Sequence, residues 1–488
     1  MKNLKALIVL IAISFLTTGC FKDSDDNLVS ANEINDFVWK GMNSWYNWQT
    51  QVQNLSDTKD DDSNAYNIYL NQYSSPQDLF NSLIYQEGVV DRFSWFIEDY
   101  IQQEQEFQGI SKTFGMRYQA VQINNTGDVI LYVRYVSDNS PASDANIKRG
   151  DIISALDGTS LNTSNFDQVI GNLYNDTTTF SFSQESGGSL TFVEDKTLTS
   201  SVVYENPVYL AKVFPDINGK KVGYLVYNGF VSSYNDELNT AFATFKSENI
   251  DELILDLRLN GGGSVETSSY LASMIYADAA QGKFADLKFN SKHSNENGSY
   301  NFSNTLNVYN TDNLKTGEET INRLTSLSKL YVLTSGSTAS ASEMIINGLK
   351  AYIPVKLIGT TTYGKNVGSI TLYDSPSTDF TDRASANPSH TNAMQPIVFQ
   401  IFNKNGESDY TQGFAPDTEI KEYEYWNNIL PFGDENEVVL KAALDDIRGI
   451  TSKTASIKKV AGSKSLKPIV TKKFEQEMYI DKRFFNKN

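Results

Sequence analysis

The spacing of apolar and polar positions changes character along the chain. Residues 30–105 carry apolar and aromatic positions at helical spacing, with Phe37, Trp39, Trp45, Tyr46 and Trp48 in one group and Phe80, Phe93, Trp95 and Phe96 in another. A polar, Asp-rich interruption at 56–63 separates the groups, and Ser75-Pro76-Gln77-Asp78 is a helix start. This stretch predicts a helical cap packed on a main domain. Over 106–200 the period shortens: Val121–Ile123, Val129–Val136, Thr179–Ser183 and Leu190–Val193 read as strands between turns, with one helix near 165–173. From 203 to 450, strands at Val222–Tyr227 and Leu253–Leu257 alternate with helices at Tyr234–Ser247 and Val265–Tyr276. A helix at Glu437–Ile447 follows, and the order predicts an α/β layer with a largely parallel sheet. Residues 284–325 are polar and rich in Asn and Ser, the pattern of a surface insertion or mobile lid.

The stretch 330–369 concentrates the candidate chemistry. It predicts a buried strand at Leu330–Thr334, a small-residue loop, a helix from about Ser340 to Tyr352, a strand at Val355–Ile358 and a Gly/Thr loop carrying Lys365. Ser340 falls where loop becomes helix, at the positive end of the helix dipole, a suitable place for a nucleophile and for an anion forming beside it. Ser340-Ala-Ser-Glu343 also matches the S-x-x-E capping box, so an ordinary cap explains the same residues. Upstream, the strand ending at Asp256-Leu-Arg258 runs into Asn260-Gly261-Gly262-Gly263. Successive glycine amides at a strand-to-helix junction suit an anion, and a tight turn suits them equally. Both features would lie on one edge of the sheet, where α/β sites assemble.

Composition narrows the field. A chain of 488 residues has room for two or three domains, and 40% hydrophobic content with 12% aromatics supports sizeable cores. The formal charge of -18 argues against a nucleic-acid partner. With only His293 and His390, neither in a recognisable motif, a histidine base or a metal site is not expected, and no cofactor is called for. Residues 451–488 carry ten Lys/Arg against three Asp/Glu, net +7, and predict a basic, solvated C-terminal tail.

At the other end, Met1–Cys20 has a short basic start, an apolar run at 6–16 too short to span a bilayer, and Thr17-Thr18-Gly19 before the single cysteine. This resembles the lipobox of bacterial lipoproteins, in which Cys20 would be lipidated. The acidic tether over 21–29, with Phe-Lys-Asp-Ser-Asp-Asp at 21–26, resembles the surface-export signal of Bacteroidetes lipoproteins. These resemblances imply a cell-envelope protein of the outer membrane, attached by lipid only.

Two further resemblances concern the body of the chain. Ser140-Pro141-Ala142, Ala145, Ile147, Gly150-Asp151-Ile152 and Asp157-Gly158 together resemble a PDZ domain of the bacterial protease-associated type over 106–200. That resemblance makes Phe114-Gly115-Met116 a carboxylate-binding loop, to which a peptide C-terminus would add as a strand. The pairing of D-L-R-x-N-x-G-G with S-A-S-E and Y-G-K resembles the S41 serine peptidases, the carboxy-terminal processing and tail-specific proteases. The family implies a crotonase-like α/β peptidase core over 203–450, with Ser340 as nucleophile and Lys365 as general base. It further implies Glu343 orienting the lysine, and an oxyanion hole from Ala341 and Gly263 or Gly262. The family's Gly and Gln after the lysine are replaced by Asn366 and Ser369, so Glu343 or Ser369 would take over the orienting role.

The expected activity is peptide-bond hydrolysis in the envelope, on protein or peptide substrates bound through their C-termini. A catalytically silent PDZ scaffold is the alternative. An acyl-CoA enzyme of the crotonase type is opposed by the secretion signal and the PDZ-like segment. Oligomeric state is not encoded in any motif.

Overall fold

The computed structural model of the chain describes residues 31–125, 127–279, 282–325, 327, 329–450, 458–467, 469 and 475–480. Cys20, the segment before it and the acidic run at 21–26 lie outside the described residues. Two compact units form. Among the described residues, one comprises 31–44 with 48–100 and 371–395, and the other 45–47, 101–370 and the described residues from 396 on.

The first unit is mainly helical. Ser75 starts the helix Pro76–Ser82 as expected, its Oγ accepting from the Asp78 amide at 3.1 Å. Phe37, Trp39, Leu79 and Phe80 are buried, so these aromatics pack rather than line a site. One expectation is corrected here. The stretch 203–450 is not continuous core, because Ala393–Gln395 pairs antiparallel with Trp95–Ile97 and with Leu372–Tyr373 in the helical unit. A short paired strand inside a polar loop leaves little trace in the apolar pattern.

The second unit begins with a β-rich part. Its strands are β1 (Met116–Gln122), β2 (Val129–Val136), β3 (Ile152–Leu156), β4 (Thr177–Ser186) and β5 (Ser189–Thr199), each antiparallel to the next. Their inward residues, among them Leu131, Val133, Ile153 and Phe180, form one apolar cluster. Every residue of β2 is buried, which its run of β-branched and aromatic residues anticipates.

The α/β layer follows. Strands β6 (Val208–Ile217), β7 (Lys220–Tyr227) and β8 (Glu252–Asp256) alternate with helix α1 (Asn235–Glu248). Next come β9 (Gly263–Ser264), helix α2 (Val265–Ile275), and the hairpin β10 (Lys283–Phe289) with β11 (Gly298–Asn301). The chain continues through β12 (Leu330–Thr334), helix α3 (Ala341–Leu349), β13 (Val355–Gly359), β14 (Val367–Ser369), β15 (Ile397–Asn403), β16 (Thr418–Glu419) and helix α4 (Val438–Ile447). The first sheet runs β6-β7-β8-β12-β13-β16, parallel from β7 onward. All five residues of β8 and of β12 are buried, as central parallel strands covered on both faces should be. Helices α2 and α3 are buried along their whole length; their Ala, Ser and Gly positions permit that close packing. No described helix is long and apolar enough to cross a membrane.

Two further expectations are corrected. Residues 284–325 are not simply surface or lid. Phe284, Ala285 and Leu287 of β10 are buried, and β10 pairs with β15 inside a second sheet. Nor is the basic tail solvated throughout. Among its described residues, β17 (Lys464–Ser465) pairs with β1, and β18 (Met478–Tyr479) pairs with β9 and β14, with Met478 fully buried.

Candidate active site

The C-terminal ends of β8 and β12 deliver the two motifs to one edge of the sheet, in register, Asp256 beside Leu333. Asn260 ties the loops after both strands together. Its carbonyl accepts from the Ala339 amide at 3.2 Å and from Ser342 Oγ at 3.0 Å, and its Nδ2 donates to the Tyr227 carbonyl at 3.0 Å. Its Oδ1 accepts from the Gly262 amide at 2.9 Å. A buried side chain with this many obligations is a brace for the loops.

Ser340 sits between loop and α3 with φ +65° and ψ −117°, a conformation that costs a residue with a Cβ roughly 1–3 kcal/mol. Its Oγ is buried and has no hydrogen-bond partner. Of the expected capping box only one half forms: Glu343 Oε2 accepts from the Ser340 amide at 2.9 Å, while the serine hydroxyl is left out. An ordinary cap would use that hydroxyl. A strained backbone presenting an unsatisfied hydroxyl is the signature of a reactive serine.

Gly262 makes the approach possible. Its φ is +125°, and a Cβ there would stand 2.7 Å from Ser340 Cβ and 3.2 Å from the Ala341 nitrogen. The Gly262 amide is committed to Asn260, whereas the Gly263 amide donates 2.6 Å to a carbonyl oxygen, that of Glu477.

Glu343 is the hub. Its Oε2 takes the amides of both Ser340 and Lys365, at 2.9 and 2.8 Å, and its Oε1 takes the Gly364 amide at 2.8 Å and Thr362 Oγ1 at 2.5 Å. Burial pushes the Glu343 carboxyl above the ordinary range, and these four donors oppose the rise. One oxygen atom therefore pins the serine and lysine loops to each other. The acid acts on the lysine through its backbone amide, a more indirect orientation than the resemblance implied.

Lys365 is fully buried, and its Nζ donates to Glu477 Oε1 at 3.1 Å. Ser369, offered above as an orienting substitute, instead donates to Glu477 Oε2 at 2.8 Å. Glu477 escaped the sequence reasoning entirely; the Met478-Tyr-Ile run that follows it was the one available signal, short and submerged in a basic tail.

Beside this cleft stands a dense ion cluster. Arg258 donates to Asp256 at 2.7 Å, to Glu437 at 2.9 Å and to Glu422 at 3.2 Å. Arg149 of the β-rich part pairs with the same Glu422. Burial opposes the charge on Glu422, yet the guanidinium groups of Arg149, Arg258 and Arg134 bring its carboxyl down to about 2. The Asp-Leu-Arg motif thus anchors the edge of the sheet.

The other expected residues are placed as follows. Phe114 and Met116 belong to the apolar core of the β-rich part, and the Gly115 amide donates to Thr113 Oγ1 at 3.1 Å. This loop opens β1, the strand on which β17 lies. His293 stacks on Trp45 with centroids 3.4 Å apart, and His390 bonds Asp374 at 3.0 Å. Neither approaches Ser340 through any of these contacts.

Known proteins similar to this chain are peptidases. Residues 221–420 match peptidase family S41, and residues 33–95 match the peptidase S41 N-terminal domain. A solved chain from Bacteroides fragilis, described as of the S41 proteases, superposes with a TM-score of 0.65 at 25% identity, covering 85% of this chain and 98% of that one. A CtpA-like serine protease of Staphylococcus epidermidis is 24% identical over 294 residues, 60% of this chain and 51% of that protein. The carboxyl-terminal-processing protease of Picosynechococcus is 24% identical over 262 residues, 51% of this chain and 54% of that protein. The chain thus spans about half the length of these two relatives. The relatives it matches are serine-type and carboxyl-terminal-processing proteases. Over residues 33–95 and 221–420 the chain is similar to peptidase family S41.

Proposed function

We propose that this chain is an endopeptidase of the cell envelope that hydrolyses peptide bonds through Ser340 and Lys365. The observation that carries the reading is the single Glu343 oxygen shared by the amides of those two residues, beside a serine hydroxyl with no other use. In the neutral form the Lys365 amine accepts the Ser340 proton as Oγ attacks the substrate carbonyl. The oxyanion is received by the amides of Ala341 and Gly263; Gly263 is favoured over Gly262 because its amide already faces a peptide carbonyl, that of Glu477, whereas the Gly262 amide is held by the Asn260 side chain. The lysine then protonates the departing amine, and water releases the acyl group from Ser340. Glu343 is a positioning residue in this scheme.

The β-rich part we read as a PDZ domain, with Phe114-Gly115-Met116 leading into β1, the strand that receives a substrate C-terminus. That β1 accepts an added strand, β17, supports the reading. Anchoring through Cys20 to the outer membrane rests on the leader sequence. The test is hydrolysis of fluorescein-labelled casein by the full chain and by Ser340→Ala and Lys365→Ala, with circular dichroism as a folding control. Turnover should vanish in both variants while the spectra coincide. Turnover by Ser340→Ala at the wild-type rate would overturn the assignment.

A further inference from the structure

The described parts of the C-terminal tail, 464–467 with Ile469 and 475–480, touch both peptide-binding positions of the proposed enzyme. Upstream, β17 lies antiparallel on β1, Lys464 opposite Gln122 and Ser465 opposite Val121, and the Leu466 amide donates to the Ala120 carbonyl at 3.1 Å. Leu466 and Ile469 pack against the apolar core of the β-rich part. This is strand addition to a sheet edge, with side chains filling the adjoining apolar surface.

Downstream the contacts move to the catalytic cleft. Strand β18 inserts between β9 and β14, parallel to both, with Met478 opposite Gly263 and Tyr479 opposite Ser264 and Ser369. Met478 is fully buried, Ile480 is 4% exposed, and the Tyr479 ring stacks on Phe107 at 4.1 Å. The Glu475 carbonyl lies so close to Gly261 that a Cβ there would stand 1.4 Å from it, so only glycine allows the passage. The Glu477 carbonyl accepts the Gly263 amide at 2.6 Å, the bond an oxyanion hole makes to a substrate carbonyl. Its carboxylate bridges Lys365 Nζ at 3.1 Å and Ser369 Oγ at 2.8 Å. Tyr118, Gln119 and Leu466 from the first position and Gly261, Glu475 and Gln476 from the second line a common cavity of about 360 Å³.

We infer that residues 464–467 with Ile469, and residues 475–480, are internal peptide ligands of the two positions, seated like substrate, and that they hold the enzyme closed until another chain displaces them. This rests on the peptidase reading above. The segment binds in substrate fashion yet is not turned over, for a local reason. The Glu477 carboxylate holds Lys365 Nζ in a hydrogen bond of its own, so the amine is not paired with Ser340 Oγ, which is left without a partner. Being part of the same chain, the segment competes at a high effective concentration, so an incoming peptide must engage both positions to win.

The experiment uses the full chain. In Met478→Asp a charge replaces the fully buried anchor and should unseat β18; Glu477→Gln keeps the shape and removes the carboxylate's negative charge facing the lysine. Hydrogen exchange across 475–480 should be slow in the wild type and fast in Met478→Asp. Hydrolysis of fluorescein-labelled casein should rise at least tenfold in Met478→Asp and severalfold in Glu477→Gln, and a synthetic 464–488 peptide should reverse the rise. To separate this proposal from the peptidase assignment, casein binding is measured by anisotropy in Ser340→Ala and in Ser340→Ala with Met478→Asp. Tighter binding in the double variant, tenfold or more, supports occupancy even if no variant hydrolyses casein. Fast exchange at 475–480 in the wild type overturns the inference. So does unchanged binding once exchange shows the segment released, or a wild-type mass showing the Glu477–Met478 bond cut. Should Met478→Asp fail to fold, an unchanged rate in Glu477→Gln together with no inhibition by the added peptide overturns it as well.

Discussion

Two buried polar clusters meet at the edge of the same sheet and are built on opposite terms. Around Arg258, all three guanidinium nitrogens are bonded to carboxylates, and Glu422 and Glu437 close the cluster. Around Ser340, the backbone is strained, glycines replace side chains, and the hydroxyl itself has no partner. Satisfied polar groups rigidify a fold, whereas an unsatisfied one lowers stability and persists where the chain uses it. On the proposed function, the contrast makes the Asp-Leu-Arg motif scaffold and the Ser340 loop the place of chemistry, although both come from the same family pattern.

The sharpest way to break this contrast is to remove one side chain from each cluster. Ser340→Ala should lower kcat/KM by about 10³-fold or more, some 4 kcal/mol of barrier, while its denaturation midpoint stays at or above the wild-type value. Arg258→Ala should do the reverse in kind. Leaving Asp256, Glu422 and Glu437 buried without their cation costs about 3–5 kcal/mol of stability, read by urea unfolding. If Arg258→Ala were as stable as wild type, the scaffold role would be wrong.

pH sharpens the comparison further. The folded-state carboxyl of Glu422 lies at about 2, below its ordinary value near 4.5, so its contribution to stability is complete above roughly pH 4.5 and lost as pH falls toward 2. Glu422→Gln should flatten that acid limb of the stability profile. A profile identical to wild type over this window would show that the carboxylate is not held by the arginines. A smaller effect is expected from Glu343→Gln. Its amide presents one acceptor oxygen where the carboxylate presented two, so kcat should fall by about 10- to 100-fold with KM nearly unchanged, as befits a positioning residue. A change in KM alone would argue that Glu343 contacts substrate.

Much of the arrangement was legible in the residues themselves. The strand at Leu330–Thr334 is the one the apolar run predicts, and α3, β8 and α2 end within three residues of expectation. Burial on both faces leaves a continuous apolar signal, and such signals survive without any structure. Ser340, Glu343, Lys365 and the glycines were singled out because each belongs to a local motif. Glu477 was not, because it lies 112 positions beyond Lys365 in a segment whose charge suggests solvent. Pairing at that separation is a property of topology, and short strands such as Met478–Tyr479 or Ala393–Gln395 are too brief to carry a period.

The central claim is that Ser340 forms the covalent intermediate with Lys365 as its base. The most direct measurement is tryptic mapping of the protein after reaction with a fluorophosphonate, run on the wild type, Ser340→Ala and Lys365→Ala. The account predicts a single adduct on Ser340, lost in Ser340→Ala and slowed at least a hundredfold in Lys365→Ala. A protein that hydrolyses casein while its adduct lies on a different residue, or forms at the same rate without Lys365, would contradict it.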